Sequence, residues 1–395
     1  MSPRDPMNPR DVVITGIGIV SSLGEGVDAH WQAFSAPAIP PRVDTATFAP
    51  YPVHTAGEID WNLQIPKRQD QRQMENWQRL GVYTAGLALD DAGLKNDEAL
   101  CASMDMIVAA AGGERDIQVD EAIMAGAQGS DDFGVFLNER LTNDLRPTLF
   151  LAQLSNLLAG NISIVHKVTG SSRTMMGEEG AGISALETAV ARLSSGQSTH
   201  MLVGGALHPE GPDKLLIYET GHHLQQGEWQ PLWGREGPGG GVIAGTGGAF
   251  LVLETREHAE KRGRTPYAVI ERVLSGRARR ADGGLQAGIK ALAERAGLDS
   301  PHLVISAASG LHEPTAAEKA ALEGHALRGF NALTGHVREA QLPFALALAA
   351  LAVSKGQAIP PLDASEAAFD GVPERAVATT VANLSGEGIA IVRKA

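Results

Sequence analysis

Strand-length β-branched runs bounded by glycine alternate with longer amphipathic stretches along this chain, and no other pattern in it restricts the fold so tightly. Residues 11–16 (DVVITG) read as a buried strand, and residues 79–92 have helical spacing closed by Gly93 as a C-cap. Residues 106–111 read as a second strand and residues 181–193 as a small-residue helix; strands follow at 201–205 (MLVGG) and 248–254 (GAFLVLE). The register restarts after residues 258–266. It runs through a strand at 267–273, a helix at 285–296, a strand at 303–307, a helix at 342–354, and strands at 376–381 and 389–392. Such alternation predicts an α/β fold with largely buried sheets. The restart predicts two successive α/β halves, residues 11–255 and 266–395, on element order alone.

Composition then removes whole classes of function. The 395 residues carry a net charge of −13, which argues against wrapping nucleic acid, where phosphate contacts supply most of the affinity. An acidic partner must therefore meet a local basic patch. The longest apolar run, 343–353, is far short of the ~18 residues a membrane span needs, and residues 1–10 hold no apolar segment like a signal peptide. The chain reads as cytoplasmic, with no membrane span. A single cysteine, Cys101, excludes a disulfide framework and a Cys-rich metal site.

Four local signals suggest chemistry, and each has a plainer reading. Gly16-Ile17-Gly18 follows a strand, but Ser21 stands at the third glycine position and no acidic residue follows on a second strand, so a tight turn is the better account. Residues 237–248 (GPGGGVIAGTGG) lack the Gly-Lys-Ser/Thr ending of a phosphate loop and read as a close-packed loop entering a strand. His222-His223 has no companion ligands, and Cys101 has no glycine elbow around it. None of the four calls for a metal or a cofactor.

Residues 12–34 (VVITGIGIVSSLGEGVDAHWQAF) resemble the start of an elongating β-ketoacyl-acyl-carrier-protein synthase. The similarity continues through 65–77 (IPKRQDQRQMENW), 88–94 (ALDDAGL), 146–163 (RPTLFLAQLSNLLAGNIS), 201–206 (MLVGGA), 249–254 (AFLVLE) and 333–336 (LTGH). The resemblance implies a thiolase-like fold of two similar halves, stacked mostly parallel sheets with helices, and a dimer. The implied chemistry is decarboxylative condensation: a cysteine at a strand-to-helix elbow takes the acyl chain from an acyl carrier protein, and two histidines stabilise the enolate.

This chain departs from that pattern at the reacting groups. Alignment of residues 170–187 (GSSRTMMGEEGAGISALE) puts Glu179 at the nucleophile position. A carboxylate there would form a mixed anhydride, and the helix dipole would keep it an anion. The first histidine position falls on Ala308, or on Ser309 with a one-residue slip, with His312 too far along to substitute. The second falls on His336, while Asn331 stands where the family has lysine and residues 383–388 (NLSGEG) replace its carboxy-terminal glycine-phenylalanine gate. Lys67, Arg68 and Arg72 match the family's basic carrier-protein docking segment.

Two readings follow. In the first, the chain is a non-condensing subunit, like a chain-length factor, that forms a heterodimer with an intact synthase and works with an acyl carrier protein, a homodimer being the other assembly. Its resemblance to the degenerate synthase of the rhizobial very-long-chain fatty acid (lipid A) system implies very long acyl chains. In the second, it is a malonyl-carrier-protein decarboxylase or a synthase of altered chemistry, which would still need oxyanion donors.

Overall fold

Strand order repeats. The computed structural model describes residues 8–36, 40–113, 115–147, 149–235 and 240–395. In the first part of the chain lie β1 (Val12–Ser21), β2 (Asp105–Ala109), β3 (Ser172–Met175), β4 (His200–Leu207) and β5 (Gly247–Thr255). In the second lie β6 (Ala268–Gly276), β7 (Leu303–Ser306), β8 (Ala326–Gly329), β9 (Arg375–Val381) and β10 (Glu387–Arg393). Their spatial order is β8-β7-β9-β10-β6-β1-β5-β4-β2-β3. Counted outward from the β6–β1 junction, each set runs first, fifth, fourth, second, third. The repetition is invisible in the residues and plain in the topology.

The sheet is mixed in direction, which corrects the expectation of mostly parallel strands. Parallel pairing is confined to β2 with β3 and β4, and β7 with β8 and β9; β5 and β10 run antiparallel to both neighbours. The turn from β9 to β10 explains one case, because residues 382–386 are too few for a crossover and force a hairpin.

Helices cover the strands. Among them are α1 (Arg68–Gln73), α2 (Asn76–Asp91), α3 (Glu179–Ser194), α4 (Pro212–Glu219), α5 (His312–Ala321) and α6 (Gln341–Lys355). α3 precedes the fourth strand of the first set and α6 the fourth of the second; the two pack together and against strands of both sets. Their alanine-rich faces join the largest core cluster, in which Ala181, Ala185, Ala189, Ala345 and Ala349 are buried. Small side chains let backbones approach: a Cβ on Gly182 would lie 2.4 Å from the Glu339 carbonyl oxygen. No helix among the described residues is long and apolar enough to cross a membrane.

Gly16 and Gly18 are not in a turn. Both lie inside β1, where α2 crosses so closely that a Cβ would sit 2.4 Å from Ala88 O or 2.2 Å from Thr84 O. α2 itself starts with a reciprocal Glu75–Gln78 capping box, and Gly93 follows its end at φ +68°, as its sequence predicts. Residues 237–239 of the glycine-rich segment lie outside the described residues; beyond them Gly241, at φ +123°, has room only for hydrogen, 1.9 Å separating an added Cβ from Gly310 O. Cys101 is a buried free thiol on a short helix.

Candidate active site

The site begins at a strained elbow. After β3 the chain passes Gly177 at φ +128° and Glu178 at φ +57°, ψ −136°, a region that side chains other than glycine rarely occupy, and enters α3 at Glu179. Arg338, itself at φ +46°, holds Glu178 through a 2.6 Å ion pair. The elbow turns Glu179 inward, leaving it 1% exposed at the first turn of α3, where free amides and the helix dipole favour an anion.

Glu179 meets His336 there. Glu179 Oε1 and His336 Nε2 are 2.9 Å apart, and His336 Nδ1 lies 3.0 Å from the Tyr218 hydroxyl on α4. Burial pushes the Glu179 carboxyl up, but the His336 hydrogen bond, its own backbone amide and Arg338 outweigh it and hold the group below its ordinary value. Burial raises Tyr218, against the opposing pull of Arg338, so the phenol keeps its proton. A carboxylate can only accept, so Nε2 carries the proton of the 2.9 Å contact, and Nδ1 pairs with the Tyr218 hydroxyl. The imidazole is thus spoken for on both sides. Its Nε2–H is given to Glu179.

Around Ala308 the surroundings are packed and hydrogen-bonded among themselves. Ala308 is buried, its carbonyl accepting from Asn331 Nδ2 at 2.8 Å and its amide donating to Ser306 Oγ at 3.1 Å. Ser306 in turn donates to Glu318 Oε1 at 2.9 Å, and Thr379 donates to the same oxygen. Burial outweighs these two hydroxyl donors and raises the Glu318 carboxyl. Ser309 donates to Asn383 Oδ1 at 2.7 Å. His312 is exposed at the start of α5 and supplies no substitute.

A cavity of about 270 Å³ opens over the elbow, lined by Glu178, Glu179, Tyr218, Arg338, Asn383 and Leu384 among others. Leu384, 62% exposed, forms part of its rim. A neighbouring cavity of about 420 Å³ shares Ile217, Thr220 and Arg338 with it. The structure therefore brings Glu179 and His336 together and connects Ala308 to the cavity wall through Ser309 and Asn383. Lys67, Arg68 and Arg72 are exposed at and along α1, and none of them lines the cavity. Tyr218, Glu178 and Arg338 are site residues that sequence reasoning missed. Tyr218 sits on a helix without a motif, and the ion pair joins residues 160 apart.

The β-ketoacyl synthase N-terminal domain model matches residues 9–259. The chain is 25% identical over 273 residues to 3-oxoacyl-[acyl-carrier-protein] synthase 2 of Vibrio cholerae, a match covering 67% of this chain and 62% of that protein. It is 27% identical over 268 residues to the tetracenomycin polyketide synthase ketoacyl synthase beta subunit of Streptomyces glaucescens, covering 64% of this chain and 60% of the relative. The chain thus spans somewhat less than two thirds of the length of these curated relatives. The solved ishigamide ketosynthase/chain length factor superposes with a TM-score of 0.78 at 19% identity, over 98% of this chain and 99% of the other. The fold is the thiolase-like fold of ketosynthases, and the chain belongs to the β-ketoacyl synthase family.

Proposed function

We propose that this chain is a non-condensing subunit, like a chain-length factor, that pairs in the cytoplasm with an intact ketoacyl-carrier-protein synthase in the elongation of very long acyl chains carried on an acyl carrier protein. One observation carries the reading: the surviving histidine is satisfied by the residue that replaced the nucleophile, at 2.9 Å. No thiolate attacks, and the remaining imidazole has no free donor for an enolate or oxyanion. The same internal satisfaction weighs against the decarboxylase reading, which needs that donor.

The likeness to a ketoacyl synthase beta subunit and to a ketosynthase/chain length factor supports a partnered role. So does the sheet edge. β3 ends the strand path, its Ser172 and Arg173 exposed, and Met176, which follows it directly, is 67% exposed. An open edge with an exposed large apolar side chain beside it is costly to leave in water and fits a partner chain of like fold. Lys67, Arg68 and Arg72 are proposed as carrier-protein contacts. The test is co-expression with an intact synthase followed by mass measurement: a one-to-one complex supports the reading. A chain that forms only homodimers and releases carbon dioxide from malonyl-carrier-protein would replace it with the decarboxylase.

A further inference from the structure

We propose that the arginine turn at residues 277–280 is a docking surface for the acidic acyl carrier protein, placed on the rim of the Glu179 cavity. The inference rests on the reading that the chain works beside such a carrier. Arg277, Arg279 and Arg280 fall within four residues of a chain whose net charge is −13. Arg280 Nε donates to Leu384 O at 3.1 Å and its Nη2 to Ala382 O at 2.9 Å, while Arg277 Nε donates to Ser385 Oγ at 3.0 Å. Asn383 and Leu384, between these anchor points, line the cavity. The turn is therefore packed directly on the segment that forms the cavity rim.

The charges divide by task. Arg280 is half-buried and paired with Glu387 at 3.1 Å, a carboxylate that also accepts from the Ala278 amide at 2.9 Å, so it holds the rim in place. Arg277 and Arg279 are exposed, and Arg279 has no side-chain partner among the described residues. Asp282 is the one exposed acid in the same turn. An overall acidic protein repels an acidic partner at long range, and a local reversal of sign beside the cavity is what such a partner needs for oriented approach. Carrier proteins deliver their cargo on a flexible arm, so a docking site is useful only at a cavity mouth. The 277–280 turn lines no part of the cavity itself but is bonded directly to residues 382–385, of which Asn383 and Leu384 form its wall, whereas no hydrogen bond ties Lys67, Arg68 or Arg72 to a lining residue among the described residues.

The experiment uses the full chain in its assembled state and a bacterial holo-acyl carrier protein labelled on its thiol. Affinity is measured at about 0.01 M and about 1 M ionic strength, where exposed charges act over ~30 Å and ~3 Å. Arg279→Glu should weaken binding at least about tenfold at the low ionic strength and hardly at all at the high one, with Arg279→Gln intermediate. Binding by Arg279→Glu within about twofold of a wild-type chain that does bind would overturn the docking site while leaving the subunit reading in place. So would a loss seen only with Lys67→Glu and Arg68→Glu. A wild-type chain that binds no carrier protein would overturn both this inference and the carrier-linked part of the proposed function.

Discussion

Glu179 and Glu318 are both fully buried glutamates that accept hydrogen bonds, yet their carboxyls are displaced in opposite directions. Burial alone raises a carboxyl, and two neutral hydroxyls from Ser306 and Thr379 do not reverse that at Glu318. At Glu179 an imidazole N–H, a helix amino end and the Arg338 guanidinium do reverse it. The region around Glu179 gathers charged and dipolar groups about one internal hydrogen bond to His336. The region around Ala308 has become a polar patch of ordinary core, its geometry set by Asn331 and Ser306. One buried carboxyl is thus held by an imidazole, a helix amino end and a guanidinium, and the other by neutral hydroxyls.

The largest effect that separates these two regions is in rate. Glu179→Cys frees His336 and restores a thiol at the helix start, but it leaves Ala308 unable to donate. Since a missing donor costs ~10²–10³-fold, condensation by Glu179→Cys alone should stay at least about a hundredfold below that of an intact synthase. Adding Ala308→His and Asn331→Lys to Glu179→Cys should recover part of that loss, as a radioassay of malonyl incorporation would read. Full activity from the single change would show that Ala308 was never limiting.

Stability separates them next. His336→Ala strands Tyr218 and leaves Glu179 buried without its donor, so denaturant unfolding should show a loss of ~1–3 kcal/mol. That stability should be the same whether or not an acyl carrier protein is present, because the residue's role is internal.

The pH dependence sharpens the contrast because its sign differs. Glu179, with its folded value depressed, contributes stability that is present above its unfolded value of about 4.3 and is lost as pH falls through the folded value. Glu318, with its folded value raised, contributes stability that is present below about 4.3 and is lost as pH rises through the folded value. Glu179→Gln should therefore flatten the acid limb of a stability–pH curve, and Glu318→Gln should lessen the decline above pH 4.3. Curves that move in the same direction for both would remove the contrast.

How much of this was legible follows from what each feature depends on. The helices α2, α3 and α6 and all the strands but β3 and β8 rest on local patterning, and their cores fall where the periodicity puts them, with ends shifted by a few residues; β3 and β8, four residues each, were not foreseen. Gly16 and Gly18 misled because a glycine pair after a β-branched run looks the same whether it makes a turn or admits a crossing helix. Helices Ile117–Ala127 and Phe133–Asn143 were not foreseen, since apolar residues along them, such as Met124, Phe133 and Val135, remain exposed. Within the site, the placement of Glu179 and His336 came from resemblance. Their direct bond did not, because it joins residues 157 apart and depends on the elbow's backbone angles.

The central claim, that the Glu179–His336 couple closes the site and does no chemistry, is tested most directly by product formation in the complex of this chain with its intact synthase. Glu179→Gln keeps the shape and a hydrogen-bond acceptor at the helix start while removing the carboxylate. Turnover by the complex should stay within about twofold of wild type. A loss of about a hundredfold or more, with the dimer intact by mass, would mean that the carboxylate takes part in the reaction.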